Sequence, residues 1–288
     1  MVEPFLGAEA IRAGRLTRGQ LRSRFRAVHP GVYVPRDAAG TLLSNTVAAW
    51  LWTSRRGVIA GRAAAALHGA RWIDDSTPIE LIVPHTRKRP GVIVHEEQIK
   101  SDEVCVIGGL PVSTPERTAL NLARWLPRDS AVRHLDSLAR ATAISKEAVL
   151  GLAARYPVAR HARRARAALD LMDAGSQSPR ETWLRLLVID AGYERPQTQV
   201  RVTDGVNVAF IDLGWEEHRI GLDYDGDHHR SERRTYVNDI GRYSMIDDLG
   251  WIDLRVVAEH SRAFILHRLR EAFRQRGLTP PPTSANRS

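Results

Sequence analysis

Phe210-Ile-Asp-Leu-Gly-Trp-Glu-Glu-His-Arg-Ile-Gly-Leu-Asp-Tyr-Asp-Gly-Asp-His-His229 is the stretch that decides how the C-terminal third of the chain is read. It contains two apolar, strand-like runs that carry acid, Ala209-Phe-Ile-Asp-Leu213 and Ile220-Gly-Leu-Asp-Tyr-Asp225. Alternation sets Asp212 on the face opposite Ile211 and Leu213, and Asp223 and Asp225 on one common face. If the runs pair through a turn near Trp215 to His218, Asp212 comes close to the other two acids. Carboxylates gathered at one spot raise each other's pKa values unless a cation neutralises them. Oxygen-rich clusters suit Mg2+ or Mn2+, and such an ion can polarise a phosphate and generate hydroxide. Each residue alone also has a structural explanation. Asp225-Gly226 is a common turn dipeptide, and His228 and His229 suit an exposed loop.

Working outward, Gly175-Ser-Gln-Ser-Pro179 breaks the pattern and opens a C-terminal unit. Ser178-Pro-Arg-Glu181 is a capped helix start, running to Ala191-Gly192. Strands are expected over Gln197 to Val202, Asn207 to Leu213 and Arg219 to Tyr224. A helix over Tyr236 to Leu249, a strand over Trp251 to Val257 and a helix over Phe264 to Arg274 complete the order α-β-β-β-α-β-α across 175–277. The proline-rich tail, 278–288, is expected to be disordered.

At the other end, Ala8 to Arg12 and Arg18 to Arg24 read as short helices, the second capped by Thr17. Phe25 to Val34 gives two apolar stretches around Pro30-Gly31. Helix, turn, helix and hairpin outline a winged helix over 1–36. Arg15, Arg18, Arg22 and Arg26 would make its face positive. An α+β region over 37–127 follows, then a basic helical linker over 128–174. There Arg155, Arg160, His161, Arg163, Arg164 and Arg166 form either a solvated helix face or a phosphate-contacting one. The fold class expected for the whole is mixed α/β, α+β overall.

The 288 residues are 43% hydrophobic and 26% charged, which excludes a disordered or collagen-like chain. The formal charge is +9, and only Lys88, Lys100 and Lys146 among the 42 basic residues are lysines. Arginine forks onto phosphates, so the balance points to a polyanionic partner, most simply DNA. A solvated arginine-rich surface explains the same composition. The lone Cys105 excludes an internal disulfide and suits a small buried hydrophobe. No apolar run reaches a membrane span, and the N-terminus has no signal-peptide pattern. A soluble, cytoplasmic protein without membrane partners is expected. Phosphate-binding glycine loops and a Gly-x-Ser-x-Gly elbow are absent, so nucleotide cofactors are not expected.

The C-terminal segment resembles the PD-(D/E)-x-K nuclease superfamily, in particular a small domain related to Vsr-type endonucleases. The resemblance rests on Ser-Pro-Arg-Glu181, Phe-Ile-Asp212-Leu and Leu-Asp223-Tyr-Asp225-Gly-Asp-x-His229-Arg. Tyr236, Asp239 and Arg242, and then Leu-Gly250-Trp251-x-x-x-Arg255-Val, complete it. It implies a restriction-endonuclease-like domain with a central mixed sheet. Asp212 and Asp223 would hold Mg2+ or Mn2+, assisted by Asp225, His229 and Glu181. The superfamily's usual lysine is missing, with Asp225 in its place. The front half is similar to AbiEi-type antitoxins and regulators through His29-Pro-Gly-Val-Tyr33, Ala60-Gly-Arg-Ala-Ala-Ala-Ala-Leu-His68-Gly69 and Thr114-Pro-Glu-Arg117-Thr-Ala119. That similarity implies DNA binding by Arg18 and Arg22 near the major groove and Arg26 on the wing. His68 and Arg117 would tie a helix end to the next strand.

Two functions fit this reading. One is a DNA-binding protein with a metal-dependent endonuclease domain. The other is a non-catalytic regulator or antitoxin whose degenerate nuclease fold makes homodimer or toxin-like partner contacts. An RNA-directed role ranks last, because no paired aromatic stacking platform is present.

Overall fold

The computed structural model describes residues 4–84, 88–157, 160–225 and 233–282, with the backbone alone for 233–240. The chain divides into two compact units, Met1–Met172 and Asp173–Ser288. Each is mixed α and β, and the described residues form three sheets.

Unit 1 opens with β1 (Phe5–Leu6), α1 (Gly7–Arg12), α2 (Arg18–Arg24), β2 (Phe25–His29) and β3 (Val32–Pro35). The three strands form one antiparallel sheet in the order β1-β3-β2. Thr17 and Gln20 close a reciprocal capping box at the start of α2. The opposite end of α2 is finished from a distance. The Arg36 Nε donates to Ser23 O at 3.0 Å and its Nη2 to Arg22 O at 2.7 Å, satisfying carbonyls that a helix end leaves open. α3 (Leu42–Trp52) buries Ala48 and Leu51 against Val32 of this sheet and sends Ala49 into the next core.

That next core belongs to a five-stranded mixed sheet. Its strands are β4 (Val58–Ala60), β5 (Ile79–Ile82), β6 (Val92–His95), β7 (Val104–Ile107) and β8 (Leu110–Ser113), in the order β6-β5-β4-β8-β7. Between β4 and β5 runs α4 (Gly61–Leu67). Its alanines, Ala63 and Ala64, let the helix lie close on Ile59, Leu81 and Val112. Cys105 on β7 is partly buried against this cluster. α5 (Pro115–Trp125) starts on a Thr114 cap with proline in its first turn. Helices α6 (Arg128–Thr142), α7 (Lys146–Ala153) and α8 (Ala162–Asp170) pack against α5, inside unit 1.

Unit 2 follows the order α-β-β-β-α-β-α: α9 (Pro179–Asp190), β9 (Gln197–Thr203), β10 (Val208–Trp215), β11 (Ile220–Tyr224), α10 (Arg233–Asp248), β12 (Ile252–Val256) and α11 (Arg262–Gln275). The sheet order is β12-β11-β10-β9, antiparallel except for the parallel pair β11 and β12, which α10 connects. α9 and α11 cover Leu213, Leu222 and Leu254 with Leu184, Val188, Ile265 and Leu269. A second cluster joins Val200, Val202, Ala209 and Ile211 to Met245 and Ile246 of α10. Burying each of these large side chains contributes on the order of 2 kcal/mol. Among the described residues no helix is long and apolar enough to cross a membrane.

One tight approach in unit 1 is testable. Gly61 turns from β4 into α4 at φ +56, and a Cβ there would lie 2.2 Å from Glu80 Oε2. The Glu80 carboxylate holds that place because it accepts the Arg62 N–H at 2.6 Å and its guanidinium at 3.2 Å. Gly61→Ala combines left-handed backbone strain with this collision, so we expect a loss of about 3 kcal/mol, read as a lowered melting temperature by circular dichroism.

Candidate functional site

The carboxylates singled out in the C-terminal stretch meet where β10 and β11 part. The registered ladder of these strands covers Leu213–Leu222, Gly214–Gly221 and Trp215–Ile220. At the next position side chains take over the backbone bonds. Asp223 Oδ1 accepts the Asp212 N–H at 2.8 Å, and Asp212 Oδ2 accepts the Tyr224 N–H at 2.9 Å. Strand β10 twists here. Ile211 lies over Gly221, where a Cβ would come within 2.8 Å of its Cγ2, whereas Leu213 packs with Leu222 in the opposite cluster. A regular strand would put Ile211 and Leu213 on one face, so the simple alternation expected around Asp212 is broken at Asp212 itself. Opposite it in β9, Gln199 has a left-handed φ of +53.

Gln199 then links two acids. Its Nε2 donates to Asp212 Oδ1 at 3.2 Å and reaches Glu181 Oε2 at 3.5 Å. Glu181 stands in the first turn of α9, its N–H bound to Ser178 Oγ at 3.1 Å. Its Oε2 also accepts the Gln177 N–H at 2.7 Å. Glu181 therefore serves the helix start and faces Asp212 at once. Asp223, 5% exposed, receives the Nη2 of Arg242 on Oδ2 at 2.5 Å, and the same nitrogen donates to Phe210 O. Burial works against the charge on Arg242, but Asp223 beside it raises its pKa.

Burial first, then the neighbouring Asp223 and Glu181, push the Asp212 pKa up to about 7. Asp253 on β12 is pushed to about 7 in the same way, by burial and by Asp223, against the opposing pull of Arg242 and Arg255. Neither Asp253 carboxylate oxygen has a hydrogen-bond partner among the described residues. Gly221, paired with Asp253 across the parallel ladder, leaves it room: a Cβ there would lie 3.2 Å from Asp253 Oδ1.

Glu181, Asp212 and Asp223 are thus brought together. Asp225 follows the end of β11, where its N–H donates to Val256 O at 2.8 Å. His229 lies outside the described residues. Sequence reasoning named Arg242 only as part of the nuclease-like motif, with no partner, and did not single out Gln199 or Asp253. The signal for Asp253 was present, since Trp251-Ile-Asp-Leu repeats the pattern of Phe210-Ile-Asp-Leu. Among the described residues no group of three or more His, Cys, Asp or Glu is placed to share a metal ion. The donors on Asp212 and Asp223 are protein groups, and Arg242 supplies the positive charge at Asp223.

In the N-terminal unit, Arg15, Arg18 and Arg22 are exposed, with Arg18 and Arg22 one turn apart on α2. The guanidinium groups of the latter two make no hydrogen bond or ion pair among the described residues. Arg26, also exposed, donates its Nη2 to Ala38 O at 3.0 Å.

The larger part of unit 1 is tied by buried charge. Arg117, 1% exposed, donates to Glu103 at 2.6 Å, to Glu97 at 3.1 Å and to Asn121 at 3.1 Å. Tyr156 donates to Glu103 at 2.6 Å and sets its ring under the Arg117 guanidinium. Arg124 grips Glu97 in a fork at 2.9 and 3.0 Å. The His68 Nε2 donates to Ser113 O at 2.7 Å, joining the end of α4 to β8.

Residues 57–171 match the AbiEi antitoxin C-terminal domain. This AbiEi-like region takes in the five-stranded sheet and helices α4 to α8. Two relatives are the uncharacterized proteins MT2308 and Rv2248 of Mycobacterium tuberculosis, from strains CDC 1551 / Oshkosh and ATCC 25618 / H37Rv. Each is 25% identical over 233 residues, 81% of this chain and 85% of the relative. The similarity to them therefore extends well beyond the AbiEi-like region. No solved structure matches the chain.

The raised pKa of Asp212 has a definite sign. The folded chain holds this proton more tightly than the unfolded chain, whose carboxyl titrates near 3.8. The residue's contribution to stability is complete below that value and is lost as pH rises through about 7. Asp212→Asn keeps an acceptor for the Tyr224 N–H and removes the charge. We expect wild type and variant to be alike in stability below pH about 4, and the variant to be more stable by on the order of 2 kcal/mol above pH about 7. Urea unfolding of the full chain across that range reads the difference.

Proposed function

We propose that this protein is a DNA-binding regulator of the antitoxin type, with unit 2 a nuclease-like fold that makes partner contacts. The observation that carries the reading is the N-terminal helix-turn-helix and hairpin, which leaves Arg18 and Arg22 exposed, their guanidinium groups without a partner among the described residues. The AbiEi-like region that follows supports it, as does the net charge of +9. Guanidinium groups left free on the second helix of such a unit suit phosphate and groove contacts. Arg15, before α2, and Arg26, on β2 of the hairpin, are exposed as well. A second copy of the chain or a toxin-like protein is the partner this reading assigns to unit 2. Binding of a mixed-sequence duplex, followed by fluorescence anisotropy against salt, tests it. The wild type should show a steep log-log slope of about −0.9 per neutralised phosphate. Arg18→Gln with Arg22→Gln should weaken binding at least about tenfold and flatten the slope by about 2. Unchanged binding in the double variant would reject the reading.

A second reading, a metal-dependent endonuclease, is favoured by one observation: Asp212, buried beside Asp223 and joined to Glu181 through Gln199, is pushed to about 7 by burial first and then by those two acids. Mg2+ or Mn2+ bound by Asp212 and Asp223 would relieve that repulsion and supply Lewis-acid chemistry. Asp225 and His229 complete the residue set of this reading. Arg242 on Asp223 weighs against it, because that carboxylate already has a cation. Plasmid nicking with Mg2+ or Mn2+ that Asp212→Ala abolishes would establish the second reading. Intact plasmid with both proteins would remove it.

A further inference from the structure

A cavity of about 470 Å³ lies among α5, α7 and α8 of unit 1, within the size range of small-ligand pockets. Its walls are apolar, with Leu120 from α5, Leu150 from α7 and Leu169 from α8. Alanines make the space: Ala153 and Ala154 at the end of α7 face Ala165 on α8, where longer side chains would close it.

The polar groups along the lining divide into two kinds. Arg124 and Tyr156 are committed within the protein. All three guanidinium nitrogens of Arg124 donate, to Glu97 and to Arg160 O, and the Tyr156 hydroxyl donates to Glu103. Arg163 and Arg166 are exposed, line the same cavity and make no hydrogen bond or ion pair among the described residues. The first turn of α8 borders the cavity through Ala162 and Arg163, and His161 at its N-cap provides no side-chain cap. An uncapped helix start favours negative charge. Apolar walls, two uncommitted guanidinium groups and a helix N-terminus select one ligand chemistry: an apolar body with an anionic head.

We propose that this cavity binds a small organic anion, a medium-chain or aryl carboxylate, with its body between α5 and α7 and its head on Arg163 and Arg166. The site is separate from the N-terminal arginines and from the unit 2 carboxylates, so it stands or falls independently of the DNA-binding reading.

The test is calorimetric titration of the full chain with decanoate and with 1-naphthoate, and with decanol as the uncharged control. Saturable 1:1 binding of either anion is expected, at least about tenfold tighter than decanol. Arg163→Gln with Arg166→Gln, both at exposed positions, should weaken the anion by about tenfold or more. Ala154→Trp, also exposed, should fill the cavity and abolish binding. Thermal melts of each variant check that the fold is kept. No saturable binding of either anion up to roughly 1 mM would overturn the proposal. So would decanol binding as tightly as decanoate, or anion binding unchanged in the arginine variant. If that variant instead loses affinity for duplex DNA while the wild type takes up neither anion, the two arginines are phosphate contacts and the proposal fails.

Discussion

Two half-buried backbone amides organise unit 2. Past the pair Leu213–Leu222 the ladder between β10 and β11 lapses, and the N–H groups of Asp212 and Tyr224 need acceptors that the sheet no longer provides. The side chains of Asp223 and Asp212 accept them. That exchange fixes the direction of both carboxylates, allows β10 to twist from one cluster to the other, and holds Asp212 where Asp223 and Glu181 act on its proton. The electrostatics of the cluster are thus a consequence of backbone accounting. The acids of unit 2 also hold its strands together.

Much of this was legible in the amino-acid order. Periodicity and capping residues give the succession of elements in unit 2, and Thr17 and Ser178 each cap the helix that follows. The pattern of acids in apolar strands brings Asp212 and Asp223 into one neighbourhood. Strict alternation misleads at Asp212, because the rule assumes an unbroken ladder and the ladder stops there. The contacts of Arg242, quoted only as part of a motif, and of Gln199 were missed for another reason. They reach 19 and 13 residues away in sequence, which no local pattern encodes. The Arg36 cap on α2, reaching back 13 and 14 residues, was invisible for the same cause.

Arginine content was the ambiguous signal, and the structure divides it. Arg117 and Arg185 are completely enclosed, and Arg124 nearly so, each spent on internal bonds. Removing one partner of such a buried pair leaves an uncompensated charge and costs about 3–5 kcal/mol. Arg18, Arg22, Arg163 and Arg166 stand outside with guanidinium groups uncommitted among the described residues. A count of arginines along the chain therefore overstates the guanidinium groups that a polyanion meets. The useful quantity is the subset that remains in solvent.

The acid row of unit 2 is neutralised by two unlike means. Asp223 leans on a guanidinium, which keeps its charge throughout the physiological range, while Asp212 and Asp253 must borrow hydrogen ions from the medium. Near neutrality the charge of the row therefore depends on the solvent at Asp212 and Asp253, the two acids whose burial raises them to about 7.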